Sequence, residues 1–124
     1  MKLNYIITLN TIMENLINNA QGITPSLKFK FLGIMREISP HVNNFETIRN
    51  DLVRKYGKTD EQGMIKVEKE DTENFNKFNE EFDKFVNETE VDIDVSKLKI
   101  KAADIFDKGV PANYLALLYD LIEE

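Results

Sequence analysis

The chain of 124 residues contains no cysteine, no tryptophan, a single histidine and no long hydrophobic run. The absence of cysteine excludes disulfide bonds, thiolate metal ligands and a cysteine nucleophile. Because His41 stands alone, a zinc site built from several histidines is excluded too. No window approaches the roughly 18 apolar residues of a membrane span, and the first residues lack the apolar stretch and cleavage site of a signal peptide. We therefore predict a cytoplasmic protein.

What is present suffices for a packed core. Hydrophobic residues make up 42% of the chain and charged residues 31%. Such a balance argues against wholesale disorder, and the length fits one domain, 1–124. Neither an internal repeat nor a linker long enough to separate domains is visible in the sequence.

The amino-terminal part predicts a short strand and then a helix. Residues 3–7 mix alternation with β-branched and aromatic types, which favours a strand. Helical spacing of apolar residues follows, with Thr8, or Thr11 together with Glu14, as candidate caps and Gly22 as the stop. The apolar residues at this spacing are Leu9, Ile12, Met13, Leu16, Ile17 and Ala20.

Helical periodicity continues from residue 27 to Tyr56 but contains one proline. Thr24 is the candidate N-cap of this segment, with Pro25 at the first helical position. Pro40 lies inside the pattern, where a proline removes a backbone hydrogen bond and costs about 3 kcal/mol or more. Either the helix kinks there, or Ser39 caps a second, nearly continuous helix, which is the favoured interpretation. Gly33 is a point where another element could approach closely.

A narrow aromatic stripe predicts a further helix, which Asp71 or Thr72 would cap. Everything outside the stripe is polar or charged, so this helix needs one partner helix rather than a surrounding core. The segment 41–56, folded back antiparallel, is the obvious partner. Between them, 59–63 reads as a turn and 64–67 as a strand fragment or an extended connector. The stripe consists of Phe75, Phe78, Phe82, Phe85 and Val86.

Strict alternation in residues 91–100 predicts the strongest strand of the chain, with Asp92 and Asp94 on one face. A last helix is expected to open with Pro111 at its first position. Its buried face would be Tyr114, Leu115, Leu118, Leu121 and Ile122.

These elements predict a mainly helical α+β fold. A small β-sheet of 3–7 and 91–100 would pack under the first and last helices. The base would comprise 1–38 and 90–124, and an antiparallel helical hairpin, 41–88, would project from it. Since a core alone does not require a thin projecting hairpin, the arm is the predicted functional part.

Charge is distributed unevenly along the chain. Residues 1–56 carry seven basic and four acidic side chains, whereas 57–124 carry nine basic and eighteen acidic ones. Residues 60–94 alone hold thirteen acids against four lysines. One interpretation is a solvated helix face; the sharper one is an acidic surface that docks on a basic partner. The candidate partner-binding residues are Glu73, Glu80, Glu81 and Asp83. Direct nucleic-acid binding is disfavoured, because phosphate contacts need clustered lysine and arginine residues. The nearest candidates are only Lys28 and Lys30, which lie at core spacing beside Phe29 and Phe31.

Enzymatic chemistry has little support in the sequence. His41 beside Ser39 could serve as a base, but a structural or surface histidine is the better interpretation. Asp92 and Asp94 could hold a divalent cation, yet the calcium-loop pattern fails around them, and a solvated face is favoured. No glycine-rich phosphate loop is present. We predict a protein that is not an enzyme, with no cofactor and no metal site.

An ordered series of motifs runs through the second half of the chain. Lys55-Tyr56-Gly57 precedes Asp60-Glu61-Gln62-Gly63, and an acidic helix with Phe75, Phe78 and Phe82, a Glu90-Val91-Asp92-Ile93 strand and a Pro111-x-x-Tyr114-x-Ala116-Leu117 helix follow. This order resembles a family of small, uncharacterised proteins of tailed phages and prophages of Gram-positive bacteria. The resemblance implies an accessory protein acting in the host cytoplasm and carries over no catalytic residue.

Two functional hypotheses follow. The first is a non-enzymatic interaction module that binds a host or phage protein through the acidic arm and inhibits a host or defence factor; a nucleic-acid-binding protein is one form of that partner. The alternative is a self-assembling structural or assembly-chaperone protein, which would form a homo-oligomer. No membrane partner is expected.

Overall fold

The computed structural model describes residues 1–18 and 22–124 and confirms the mainly helical α+β class. Its helices are α1 (Leu3–Asn18), α2 (Pro25–Tyr56), α3 (Thr72–Glu88), α4 (Ala102–Ile105) and α5 (Ala112–Leu118). Its strands are β1 (Lys58–Thr59), β2 (Ile65–Lys66), β3 (Ile100–Lys101) and β4 (Ile122–Glu123). The strands form two separate pairs, β1 with β2 antiparallel and β3 with β4 parallel. No helix of the described residues is both long and apolar enough to cross a membrane.

The predicted strand at 3–7 is wrong, because these residues form the first turns of α1. Leu3 and Ile6 are buried on the same face as the later core residues of the helix, so the helical period begins earlier than predicted. Burial along that face outweighs the strand preference of the β-branched and aromatic types. Ala20, predicted to continue the face, lies outside the described residues.

The expected caps of this first helix are also wrong. Thr8 and Thr11 lie inside α1, where their hydroxyls donate hydrogen bonds to the carbonyl oxygens of Asn4 and Ile7, one turn back. The Thr11–Glu14 capping box is therefore not formed. An N-cap side chain can act only at the start of a helix, and α1 starts at Leu3.

The start of α2 is confirmed. Thr24 is its N-cap, and the Thr24 Oγ1 accepts a hydrogen bond from the Leu27 backbone N–H at 3.3 Å, with Pro25 following. The helix then runs unbroken past Pro40, so the two-segment interpretation with Ser39 as a second cap is wrong. Core burial on both sides of the proline, at Ile38 and Phe45, offsets its local cost.

Two further expectations for α2 have different outcomes. The helix ends at Tyr56 as predicted, and the Gly57 N–H donates to the Val53 carbonyl oxygen at 2.7 Å. Among residues 1–18 and 22–124, no other element approaches Gly33, since a Cβ placed there would meet none of their atoms within 4 Å.

The predicted strand 91–100 is wrong over most of its length. The Asp94 carboxylate accepts hydrogen bonds from the Ser96 backbone N–H (3.1 Å) and hydroxyl (2.6 Å), and Val95–Leu98 form a 3-10 turn. Within 91–100 only Ile100 belongs to a strand, β3, which pairs with β4. Alternation of apolar and acidic residues predicted a continuous strand, but the local side-chain bonds of aspartate and serine compete with strand pairing.

The predicted sheet of 3–7 with 91–100 is correspondingly wrong, although the amino terminus does meet this segment. Lys2 and Glu90 form an isolated antiparallel bridge. The Val91 N–H donates to the Met1 carbonyl at 2.8 Å, and the Leu3 N–H donates to the Thr89 carbonyl at 3.0 Å. One bridge thus takes the place of the expected sheet.

The closing helix is close to its prediction. Pro111 is the N-cap residue and α5 begins one residue later. Leu118 and Leu121 are buried in the core as predicted. The remaining members of the predicted face are half-buried: Tyr114, Leu115 and Ile122.

The core lies between α1 and the first half of α2, and the carboxy-terminal segments close it. Its last residue in α2 is Phe45, and the next buried residue along the chain is Leu98. Residues 46–97 thus contribute no buried side chain to the core.

Candidate interaction surface on the third helix

An aromatic seam joins α3 to the middle of α2. The Phe45 ring lies 6.0 Å from the Phe82 ring, edge to face, and 6.1 Å from the Phe85 ring, stacked. The Phe78 and Phe82 rings stack at 5.7 Å. Phe45 is 7% exposed, whereas no residue of α3 is fully buried. Phe82 and Phe85 of the narrow stripe read from the sequence therefore do pack on α2, and all five residues of the stripe are half-buried.

A polar clamp, formed by Lys55, Tyr56 and Glu81, joins the end of α2 to the centre of α3. The Tyr56 hydroxyl donates to the Glu81 carboxylate at 2.5 Å, and the Lys55 ammonium lies 3.1 Å from the same oxygen. The hydrogen bond from Tyr56, and then the one from Lys55, hold the pKa of Glu81 below its usual value. The hydrogen bond to Glu81 raises the pKa of Lys55 in turn. The polar clamp and the aromatic seam together hold α2 and α3 antiparallel to each other.

The turn between the two helices is held by two aspartates. Asp60 accepts hydrogen bonds from the Met64 and Gln62 backbone N–H groups, both at 2.9 Å, and these lower its pKa. Asp71 is the N-cap residue of α3, but its carboxylate forms no capping hydrogen bond with the backbone. It accepts a hydrogen bond from the side-chain amide of Asn74 at 2.9 Å instead. The Asn74 hydrogen bond, followed by that of Lys58, lowers the pKa of Asp71.

The four predicted partner-binding acids fall into two groups. Glu81 belongs to the polar clamp, and Glu73 forms an ion pair with Lys77 at 3.0 Å. Glu80 and Asp83 are exposed and form no ion pair with any described residue. Glu80 and Asp83 are three residues apart and therefore neighbours on the helix surface. These two carboxylates are the part of the predicted site that is free to meet a partner.

An open groove of about 390 Å³ lies beside Asp83, between α1 and α3. Its apolar lining comes from Ile7, Phe45, Phe82 and Val86. Asn4 and Asn87 bridge the two helices at this groove through a hydrogen bond of 2.8 Å. We call this feature the Asp83 groove. Sequence reasoning missed it because Ile7 was assigned to a strand; the helical spacing of Leu3 and Ile6 with Leu9 was the signal that could have placed it.

The candidate chemical residues are not assembled into one site. His41 and Asp92 line one groove of about 340 Å³ with Phe45 and Phe85, while Ser39 lines another beside Arg36. Asp94 is engaged by Ser96, whose hydroxyl lowers the Asp94 pKa. The strand face that Asp92 and Asp94 were predicted to share is absent, since 91–94 form no strand. Within 1–18 and 22–124, no group of three or more histidine, aspartate or glutamate residues is arranged to hold a metal ion.

No protein-family model, no curated protein and no solved structure matches the chain. The resemblance to a phage family stays a prediction.

Proposed function

We propose that the chain is a non-enzymatic interaction module and that it binds a protein partner through α3. The Asp83 groove carries this proposal, because it combines an apolar lining with a free carboxylate at its edge. Apolar surface supplies affinity on association, and charge beside it selects the partner and speeds encounter. Glu80 is a second exposed carboxylate on α3, and it lines the neighbouring groove with Tyr56, Lys77 and Lys84.

The same proposal treats residues 41–88 as an arm that projects from a base of 1–38 and 90–124. It is supported by the absence of buried side chains between Phe45 and Leu98. Beyond Phe45, this segment adds no buried side chain to the core, yet an aromatic seam and a polar clamp hold it in place, so it is suited to presenting a surface.

Charge defines the kind of partner. Residues 60–94 carry a large acidic excess, so the partner surface is basic, as on a protein that normally binds nucleic acid. In a phage setting such a partner would be a host or defence factor, or another phage protein, in the host cytoplasm. Contact with nucleic acid itself is not part of the proposal, because the acidic surface repels phosphate.

The test is capture of host proteins on the immobilised chain, repeated with charge-reversed variants. The variant Glu80→Lys with Asp83→Lys should lose the specific partner, and the loss should be largest at low salt. Glu61→Lys with Glu68→Lys is the matched control. It changes the net charge by the same amount in exposed residues that precede α3, whereas Asp83 lies roughly 16 Å along that helix. Equal capture by both variants would contradict the proposal.

The alternative, self-assembly, is favoured by one separate observation, an exposed apolar and basic face on α2.

A further inference from the structure

The first half of α2 exposes large apolar side chains to solvent. Phe29 is 79% exposed and Leu32 is 52% exposed, whereas Phe31 is fully buried. Residues 29, 32 and 36 follow one another at three- and four-residue steps, so Phe29, Leu32 and Arg36 share one outward ridge.

Three cations lie along this ridge, while Glu14 and Glu46 line the groove at its Leu32 and Arg36 end. Lys28 and Lys30 flank Phe29, and no acidic residue occurs in α2 before Glu37. Lys28, Lys30 and Arg36 form no ion pair with any described residue. We call the set Lys28, Phe29, Lys30, Leu32 and Arg36 the Phe29 knob.

We propose that the Phe29 knob of one molecule docks in the Asp83 groove of a second copy of this chain. The inference shares the Asp83 groove with the proposed function but names a second copy of the chain, the self-assembly alternative, as its occupant. Both halves of the contact are present in the structure. The knob offers apolar side chains among three cations, and the groove offers an apolar lining with one free carboxylate, that of Asp83.

The size of the groove and the charge of the chain agree with this occupant. The groove is open and measures about 390 Å³, which falls in the range of roughly 300–1,000 Å³ of small-molecule sites in proteins. Residues 1–56 carry a net positive charge and 57–124 a net negative charge, so copies attract when the first part of one meets the second part of the next. Opposite charges at a contact steer association and fix its orientation.

The contact is head to tail, since knob and groove are different surfaces. Such an interface leaves one free knob and one free groove at the ends of every dimer, so association continues into a ring or an open chain. We expect the mass in solution to rise with protein concentration and to fall towards the monomer as salt screens the charges.

The experiment is sedimentation velocity across a concentration series from micromolar to near-millimolar, at low and high salt. Phe29→Ala should weaken association by about tenfold or more, as expected for an aromatic anchor at an interface. Tyr119→Glu is the control, because Tyr119 is another exposed aromatic residue, 71% exposed, outside both surfaces; it should associate like the wild type. Phe29 is exposed, so its substitution leaves the fold intact, which circular dichroism checks.

Mixing two broken variants tests the head-to-tail geometry. Phe29→Glu with Leu32→Glu destroys the knob, and Glu80→Lys with Asp83→Lys destroys the acidic edge of the groove. Each variant alone should be monomeric. An equimolar mixture should form dimers and nothing larger, because only one intact knob and one intact groove remain per pair.

Several results would overturn the inference: a wild-type monomer at every concentration, equal loss with Tyr119→Glu, or no pairing in the mixture. Sedimentation of a monomeric chain with phosphatidylserine vesicles, lost in Phe29→Ala, would assign the knob to a lipid surface and likewise overturn it. A monomeric wild type whose partner capture is lost in Glu80→Lys with Asp83→Lys would reject the inference and leave the proposed function standing.

Discussion

Gly57 and Gly33 offer the same substitution, glycine to alanine, at two positions where we expect opposite effects on folding stability. Gly57 follows the last residue of α2 and has an ordinary backbone φ of −87°, so space alone constrains it. A Cβ there would clash with the Val53 carbonyl oxygen and lie 2.7 Å from Ile65 Cγ2 and 2.9 Å from the Lys66 carbonyl oxygen. Two of these three atoms are backbone atoms, which cannot rotate away.

We expect Gly57→Ala to lower the free energy of unfolding by about 1–3 kcal/mol, the usual cost of overpacking. Gly33 is exposed inside α2 and a Cβ there meets nothing. Gly33→Ala should therefore raise the free energy of unfolding by about 0.5–1 kcal/mol through helix propensity. Both substitutions restrict the unfolded chain equally, so the difference between them reflects the steric clash at residue 57 together with the helix propensity gained at residue 33.

Urea denaturation followed by circular dichroism measures both effects. With a slope of about 2 kcal/mol per molar urea, the midpoint should fall by about 1 M for Gly57→Ala and rise by about 0.4 M for Gly33→Ala. Equal midpoints for the two variants would refute the close approach of β2 to the end of α2, and with it the way the arm turns back on itself.

The remaining predictions concern the seam and the clamp. Phe45→Ala should lower the free energy of unfolding by about 3–5 kcal/mol, measured by urea denaturation, whereas Phe29→Ala at an exposed position should change it by less than about 0.5 kcal/mol; equal effects would contradict the packing of Phe82 and Phe85 on Phe45. The lowered pKa of Glu81 means that its stabilising contribution is present above the unfolded-state pKa, about 4.3, and is lost as pH falls through the lower folded-state value. The stability difference between wild type and Glu81→Gln should therefore shrink below about pH 4 in thermal melts, and a difference that stays constant down to pH 3 would contradict the clamp.

Predictability from the sequence varied by element. Thr24, Pro25 and Gly57 placed the ends of α2 correctly, because capping and termination depend on a few neighbouring residues. The aromatic stripe of α3 also identified its packing face, since helical periodicity is a local property of the chain. The interpretation of Pro40 as a break was wrong, because the local cost of a proline is smaller than the burial gained on both sides of it.

The candidate site was only half predictable. The acidic composition indicated α3 as the binding element. It could not distinguish Glu81, which is bonded within the polar clamp, from Asp83, which forms no ion pair with any described residue. That distinction depends on Lys55 and Tyr56, about 25 residues away in sequence and adjacent in space. The Asp83 groove also required Ile7 of α1, which the sequence pattern had assigned to a strand.

By itself, the sequence determined the helical periods of α2 and α3, the start of α2 and the separation of positive from negative charge. These properties are set by residues within a few positions of one another, so they hold in any surroundings. Only the tertiary structure, through the burial of Leu3 and Ile6, decided that 3–7 is helix. It also decided which acids stay free and that Phe29 faces solvent. The strand preferences of short β-branched segments amount to about 1 kcal/mol, and burial against distant parts of the chain exceeds that.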